Sequence, residues 1–228
     1  MVHVIETKTD WLHVRTEGKI KELRNYLNTL IKQLDDTSND YENRVETDAQ
    51  NIEDEEERDQ YYEWSREEYW DYKETFPRIL LNSFHVTSVT LLESEIFSIA
   101  SRIGKKQNQI FDVSEIKGND YIQSARYYIK KLTQLDIKDS QTPQTWNKIM
   151  EGRRLRNIIA HSNGILENSK DISLAKKCKV LDDSMLETLS VRPIQQIYIS
   201  YEYSKSFLTT LMKFFHELYS DIKTGNYL

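Results

Sequence analysis

"RILLNSFHVTSVTLLESEIFSIASRIGKKQ", residues 78–107, decides the fold class. Pro77 immediately before it suits the first turn of a helix, where a missing N–H costs nothing, and Gly104 marks the far end. Between them runs a strongly apolar helix, the expected centre of a core. Upstream, "GKIKELRNYLNTLIKQLDD" sets Ile20, Leu23, Leu27, Leu30, Ile31 and Leu34 at three- and four-residue steps, the pattern of an amphipathic helix. A short N-terminal segment before it has the composition of a strand. Residues 40–76 carry no Gly or Pro and place Tyr62, Tyr69, Tyr72 and Phe76 on one helical face, so a second long, acidic and aromatic helix is expected there. Its run of carboxylates, Glu53 to Glu57, points all round a helix and reads as a solvated face. The aromatic stripe reads as core or subunit contact.

Downstream, "DYIQSARYYIKKLTQL" continues the helical pattern, and "SQTPQTWNKIMEGRRLRNIIAHSNG" follows with Thr142 as N-cap, Pro143 in the first turn and Gly164 beyond the end. Residues 165–200 turn irregular and β-branched, the composition of a small hairpin, placed at 176–193. "YSKSFLTTLMKFFHELYSDI" closes the chain as an amphipathic helix. These elements predict an all-α bundle of long helices in a single domain, 1–228, with that hairpin before the last helix.

The chain has 228 residues, a formal net charge of -6 and a single cysteine, Cys178. That balance argues against a broad basic surface coating nucleic acid, because such binding neutralises many phosphates; any phosphate site must be a local patch. One cysteine cannot form an intrachain disulfide, and no histidine or cysteine spacing matches a structural zinc site. His3, His13, His85, His161 and His216 are scattered, so no metal and no cofactor is expected. Without a signal-peptide pattern or an apolar run of membrane-spanning length, the expected setting is a reducing, cytoplasmic one with no membrane.

The local cationic patch is "EGRRLRNIIAHSNG", residues 151–164. On a helical wheel Asn157, His161, Arg153 and Arg154 share a polar sector, whereas Arg156 lies about 140° from His161 and needs a long stem or a loosened last turn to reach it. Two readings are open. In one, the three arginines pair with carboxylates of the acidic helix and His161 occupies a helix C-terminus, where its cation is favoured. In the other, the strip meets an anionic substrate. Arg78 and His85 repeat an Arg-to-His spacing, but in an apolar setting that makes His85 a core residue.

The string Arg156-Asn157-Ile158-Ile159-Ala160-His161, with the "HSNG" turn after it, resembles the HEPN superfamily of all-helical domains, whose nuclease members carry Arg, often followed by Asn, and then His near the end of a late helix. The resemblance covers roughly residues 17–222, and its specific part is about ten residues. It implies a metal-independent endoribonuclease of toxin, abortive-infection or defence type, with Arg156, His161 and Asn157 catalytic and Arg153, Arg154 and Asn163 binding substrate. It also implies an RNA substrate, an antitoxin or operon partner, and a homodimer through helix 143–161 that brings two motifs to one cleft. The residues suit that chemistry. His161 can exchange protons near neutral pH, Arg156 offers a fixed fork to phosphate oxygens, and Asn157 can orient the histidine or the substrate. The apolar groups Trp146, Ile149, Met150, Leu155 and Ile159 supply a surface for the second copy. In a subset of such toxins a tyrosine two residues after the His is modified by a nucleotidyltransferase antitoxin; Asn163 stands there, so that form of control is not implied. The alternative is a non-catalytic module of the same fold that binds a nucleotide or a protein.

Overall fold

A computed structural model describes residues 8–116, 120–182 and 195–228. Seven α-helices account for most of them: α1 Lys8–Gln50, α2 Glu55–Trp70, α3 Phe76–Lys106, α4 Tyr121–Thr133, α5 Pro143–Ser162, α6 Ser169–Cys178 and α7 Tyr201–Thr224. Two-residue strands, β1 Leu181–Asp182 and β2 Gln196–Ile197, pair antiparallel. The fold is all-α. One contiguous apolar core takes residues from every helix except α2 and is centred on α3, where Leu92, Ile96, Ile99 and Ile103 are sealed against α1, α4, α5 and α7.

The first helix is longer than its apolar period. It is helical from Lys8 onward, where a short strand was expected, and it runs past Leu34 to Gln50. The expected 40–76 helix is therefore two pieces. Residues up to Gln50 belong to α1; the chain turns at 51–54, and Asp54 starts α2 by accepting from Glu57 N at 2.9 Å, with Glu55, Glu56 and Glu57 in the first turn. Carboxylates there satisfy free N–H groups and the positive end of the helix dipole, which is why the acidic run begins a helix instead of crossing its middle. The run itself is exposed, as its reading as a solvated face requires.

The aromatic stripe is not core. None of α2 is buried, and Trp64 and Trp70 are exposed, because α2 lies on the polar end of α1: Tyr41 Oη donates to Ser65 O at 3.0 Å and Tyr61 Oη to Asp48 at 3.1 Å. A π-helical turn, Asp71–Thr75, joins α2 to α3, with the Phe76 N–H reaching back to Asp71 O. Pro77 explains it. Proline has no N–H to give and its ring crowds the carbonyl four residues back, so the helix widens by one residue instead of starting afresh.

The region expected as a hairpin at 176–193 is different at its near end. Residues 176–178 finish α6, which Asn168 caps by accepting from Lys170 N and Asp171 N. The ribbon pairs Leu181 with Ile197 and Asp182 with Gln196; residues 183–194 lie outside the described ones.

Candidate functional site

Helix α5 is built to hold its C-terminal turn in place. Thr142 Oγ1 accepts from Thr145 N at 3.2 Å and Pro143 occupies the first turn. Trp146, Ile149, Gly152, Leu155 and Ile158 are buried in steps of three, a diagonal row that packs into the grooves of α3 and α7. Gly152 allows the close crossing: a Cβ there would overlap the Phe207 ring of α7. The backbone oxygen of Gly152 accepts from His85 Nε2 at 2.8 Å. His85 is fully buried, and burial pushes its pKa down to about 4, so it is a neutral core histidine, as its apolar setting indicated.

The helix ends on Asn163 in the left-handed region, φ 49°, followed by Gly164 at φ 80°. The Asn163 N–H reaches back five residues to Ile158 O, a wider turn than the α-helical one, and Ile197 N donates to Gly164 O at 2.8 Å, pinning the helix end to β2. The last turn is thus loosened and then locked.

The three arginines all find carboxylates, but not on the acidic helix. Arg156 Nη2 donates to Glu93 Oε2 of α3 at 3.0 Å, and its Nη1 donates to Asn157 Oδ1 at 3.0 Å. Arg153 Nη1 lies 2.7 Å from Asp120, the N-cap of α4, with Nε 3.8 Å from Glu93. Arg154 holds Asp171 of α6 through Nη2 at 2.7 Å and Nε at 3.1 Å. The acidic helix α2 is occupied with α1, and the partners come from the elements that flank α5. Asn157 positions the guanidinium of Arg156. His161 stands exposed in the last turn and has no hydrogen-bond or ion-pair partner among the described residues. Arg156, Asn157, Arg153 and Glu93 therefore form one connected cluster; Arg154 and His161 stand outside it.

The apolar residues expected at a dimer interface are mostly consumed within the chain. Trp146, Ile149 and Leu155 are buried in the chain's own core, and Met150 and Ile159 pack partly against it. Packing alone leaves α5 with no apolar face that demands a second copy.

Sequence reasoning missed a cleft of about 720 Å³ beside the motif, lined by Arg78, Asn82, Ser83 and Thr87 of α3, Asn163 at the end of α5, and Gln196 of β2. Arg78 donates to Gln196 Oε1 at 3.3 Å and has no carboxylate partner among the described residues. Asn82 Oδ1 accepts from Ile199 N at 3.4 Å. No local motif signals this cleft, because three distant segments build it.

Cys178 is half-buried beside Glu151, and burial with that carboxylate pushes its thiol up to about 11, so it is no nucleophile at neutral pH. The fold also gathers one metal-ligating set among the described residues, His13, Glu17 and His216, at the contact of α1 with α7. No helix of the described residues is long and apolar enough to cross a membrane. Comparison with protein-family models, curated proteins and solved structures finds no match for the chain.

Proposed function

We propose that the chain is a metal-independent endoribonuclease of the HEPN type, in which His161 moves the proton, Arg156 carries the phosphate charge and Asn157 holds Arg156 in place. One observation carries the reading. The motif's histidine is accessible at the helix end and, among the described residues, unengaged, while the arginine five residues before it is held by hydrogen bonds to Asn157 and Glu93. Proton exchange needs a reachable imidazole, and charge stabilisation needs a guanidinium whose direction is fixed before the substrate arrives.

In the reaction the ribose 2′-oxygen bonds to phosphorus and the bond from phosphorus to the 5′-oxygen breaks. One imidazole accepts the 2′-hydroxyl proton and an imidazolium gives a proton to the departing 5′-oxygen, so the step is redox-neutral and leaves a 2′,3′-cyclic phosphate. One chain offers a single histidine at the motif. A two-fold dimer with α5 near its copy supplies the second, and this proton balance, not apolar packing, is the reason to propose it. The acidic surface elsewhere then favours a selected RNA over indiscriminate binding, and an operon-encoded antitoxin is the expected restraint in a cytoplasmic setting.

A second reading is favoured by the ion pairs. Arg153, Arg154 and Arg156 are already neutralised by Glu93, Asp120 and Asp171, as in a non-catalytic helical module. In that case the cleft of Arg78, Asn82 and Asn163 is the place for a nucleotide, its phosphate on the Arg78 guanidinium, which has no carboxylate partner among the described residues. Incubation of total RNA with the protein and a chelator separates the two. The nuclease cuts, and its His161→Ala variant does not; the binding module leaves RNA whole in both.

A further inference from the structure

We propose that His13, Glu17 and His216 form a binding site for a zinc-like divalent ion that ties the first turns of α1 to α7. The sequence keeps the two histidines at opposite ends of the chain, and the packing of α1 on α7 brings them together. His13 and Glu17 are one helical turn apart, with Nε2 of the imidazole 3.2 Å from Oε1 of the carboxylate. The His216 ring lies 5.4 Å from the His13 ring, centroid to centroid, at 52°. One donor atom from each of the three residues falls within 4.8 Å of the others.

A tetrahedral ion with bonds of about 2.0–2.1 Å keeps its donors about 3.3 Å apart. The His13 to Glu17 spacing already fits. His216 is exposed, so rotation of its side chain closes the remaining gap of at most about 1.5 Å without moving either helix. The first ligand is held in place by its neighbours. The His13 ring packs on Tyr219 at 5.1 Å between centroids, Tyr219 Oη shares a hydrogen bond with Thr16 Oγ1 at 3.1 Å, and Thr16 Oγ1 donates to the buried Glu95 at 2.8 Å. That shell fixes one imidazole while the other stays adjustable.

Two imidazoles and one carboxylate suit zinc and not calcium or magnesium, which prefer all-oxygen ligand sets. Three protein ligands leave a fourth position on the solvent side, for water. Lys21 is 3.9 Å from Glu17 and largely exposed, a loose contact that an ion displaces. A simple His13–Glu17 ion pair would engage only those two residues; a metal site also requires His216.

The site does not rest on the ribonuclease reading, since zinc is measured directly. Metal-stripped full-length protein is titrated with zinc, by calorimetry and by thermal unfolding, and with cobalt(II) as a coloured substitute. Expected are one zinc per chain, a rise in Tm of several degrees, and the visible absorption of four-coordinate cobalt. His216→Ala, which removes an exposed side chain and spares the core, is expected to weaken zinc binding at least tenfold and abolish the rise in Tm; Glu17→Gln should weaken binding with the fold intact. Absence of zinc uptake by the wild-type protein, or wild-type affinity in His216→Ala, overturns the assignment.

Discussion

Arg156 donates through Nη2 to Glu93 Oε2 at 3.0 Å, across the contact between α5 and α3. Glu95, two residues further along α3, faces about 200° away on an ideal helix and accepts from Thr16 of α1. The central helix thus carries two buried carboxylates: one holds the motif's arginine, the other anchors α1 beside α7. The first pairing changes what a substitution at Arg156 does. It removes the proposed phosphate ligand and, among the described residues, leaves Glu93 with only the longer contact to Arg153.

Arg156→Ala and His161→Ala are therefore expected to differ in stability, although on the proposed function both should abolish RNA cleavage. His161 is exposed and has no partner among the described residues, so its removal should change unfolding free energy by less than about 0.5 kcal/mol. Arg156→Ala strands a carboxylate that is mostly buried and should cost about 1–3 kcal/mol. Asn157→Ala should reduce cleavage less than either, because it acts through the arginine. Denaturant unfolding and cleavage assays on the three variants check the split; equal stability in Arg156→Ala and wild type would mean that the Glu93 contact contributes nothing.

The proposed dimer makes a separate prediction. Because Trp146, Ile149 and Leu155 serve the chain's own core, the probe belongs on the exposed part of α5, and Ala160 beside His161 is such a position. Ala160→Glu should leave the monomer fold unchanged while lowering dimer content and cleavage in parallel, as measured by sedimentation and by RNA assay. A monomeric Ala160→Glu protein that cuts at the wild-type rate rules out the shared site.

Stability should fall with pH in a defined window because of His85. Burial holds its folded pKa at about 4, below the unfolded value of 6.5, so the unfolded chain takes up the proton first. The neutral ring's contribution is complete above about pH 6.5 and is lost as pH falls toward 4, by about 3 kcal/mol at about 1.36 kcal/mol per unit. Asp136, held well below the usual carboxylate range by its hydrogen bonds from Arg126 and Lys130, adds its loss only below about pH 4. His85→Gln, which keeps a donor for Gly152 O and does not titrate, should flatten the segment between 6.5 and 4. An unchanged slope would assign it to other groups.

The helix ends at Thr142 and Gly164, the apolar centre at α3 and the core role of His85 were legible because each depends on local chemistry: a cap, a period, an apolar setting. The turn at 51–54 was legible in principle, since Asp54 followed by three glutamates is a helix start, but the same letters also suit a solvated face. Helix α1 extends through a poorly helical sequence because tertiary burial of Tyr41 and Ala49 overrides propensity. What joins distant segments could not be read. The pairing of Arg156 with Glu93, of Arg154 with Asp171, the cleft at Arg78 and the meeting of His13 with His216 all depend on which helix faces which. Periodicity gives each helix a face but not its neighbour.

The most direct test of metal-free cleavage by 2′-hydroxyl attack is the chemistry of the fragment ends, read on an RNA cut in the presence of a chelator and on the same RNA with a single 2′-deoxy residue at the cleaved position. A 2′,3′-cyclic phosphate on one fragment, a 5′-hydroxyl on the other and no cut at the deoxy position are the predicted result. Ends carrying a 5′-phosphate, or cleavage that stops when the chelator is added, contradict it and point instead to a metal-activated water.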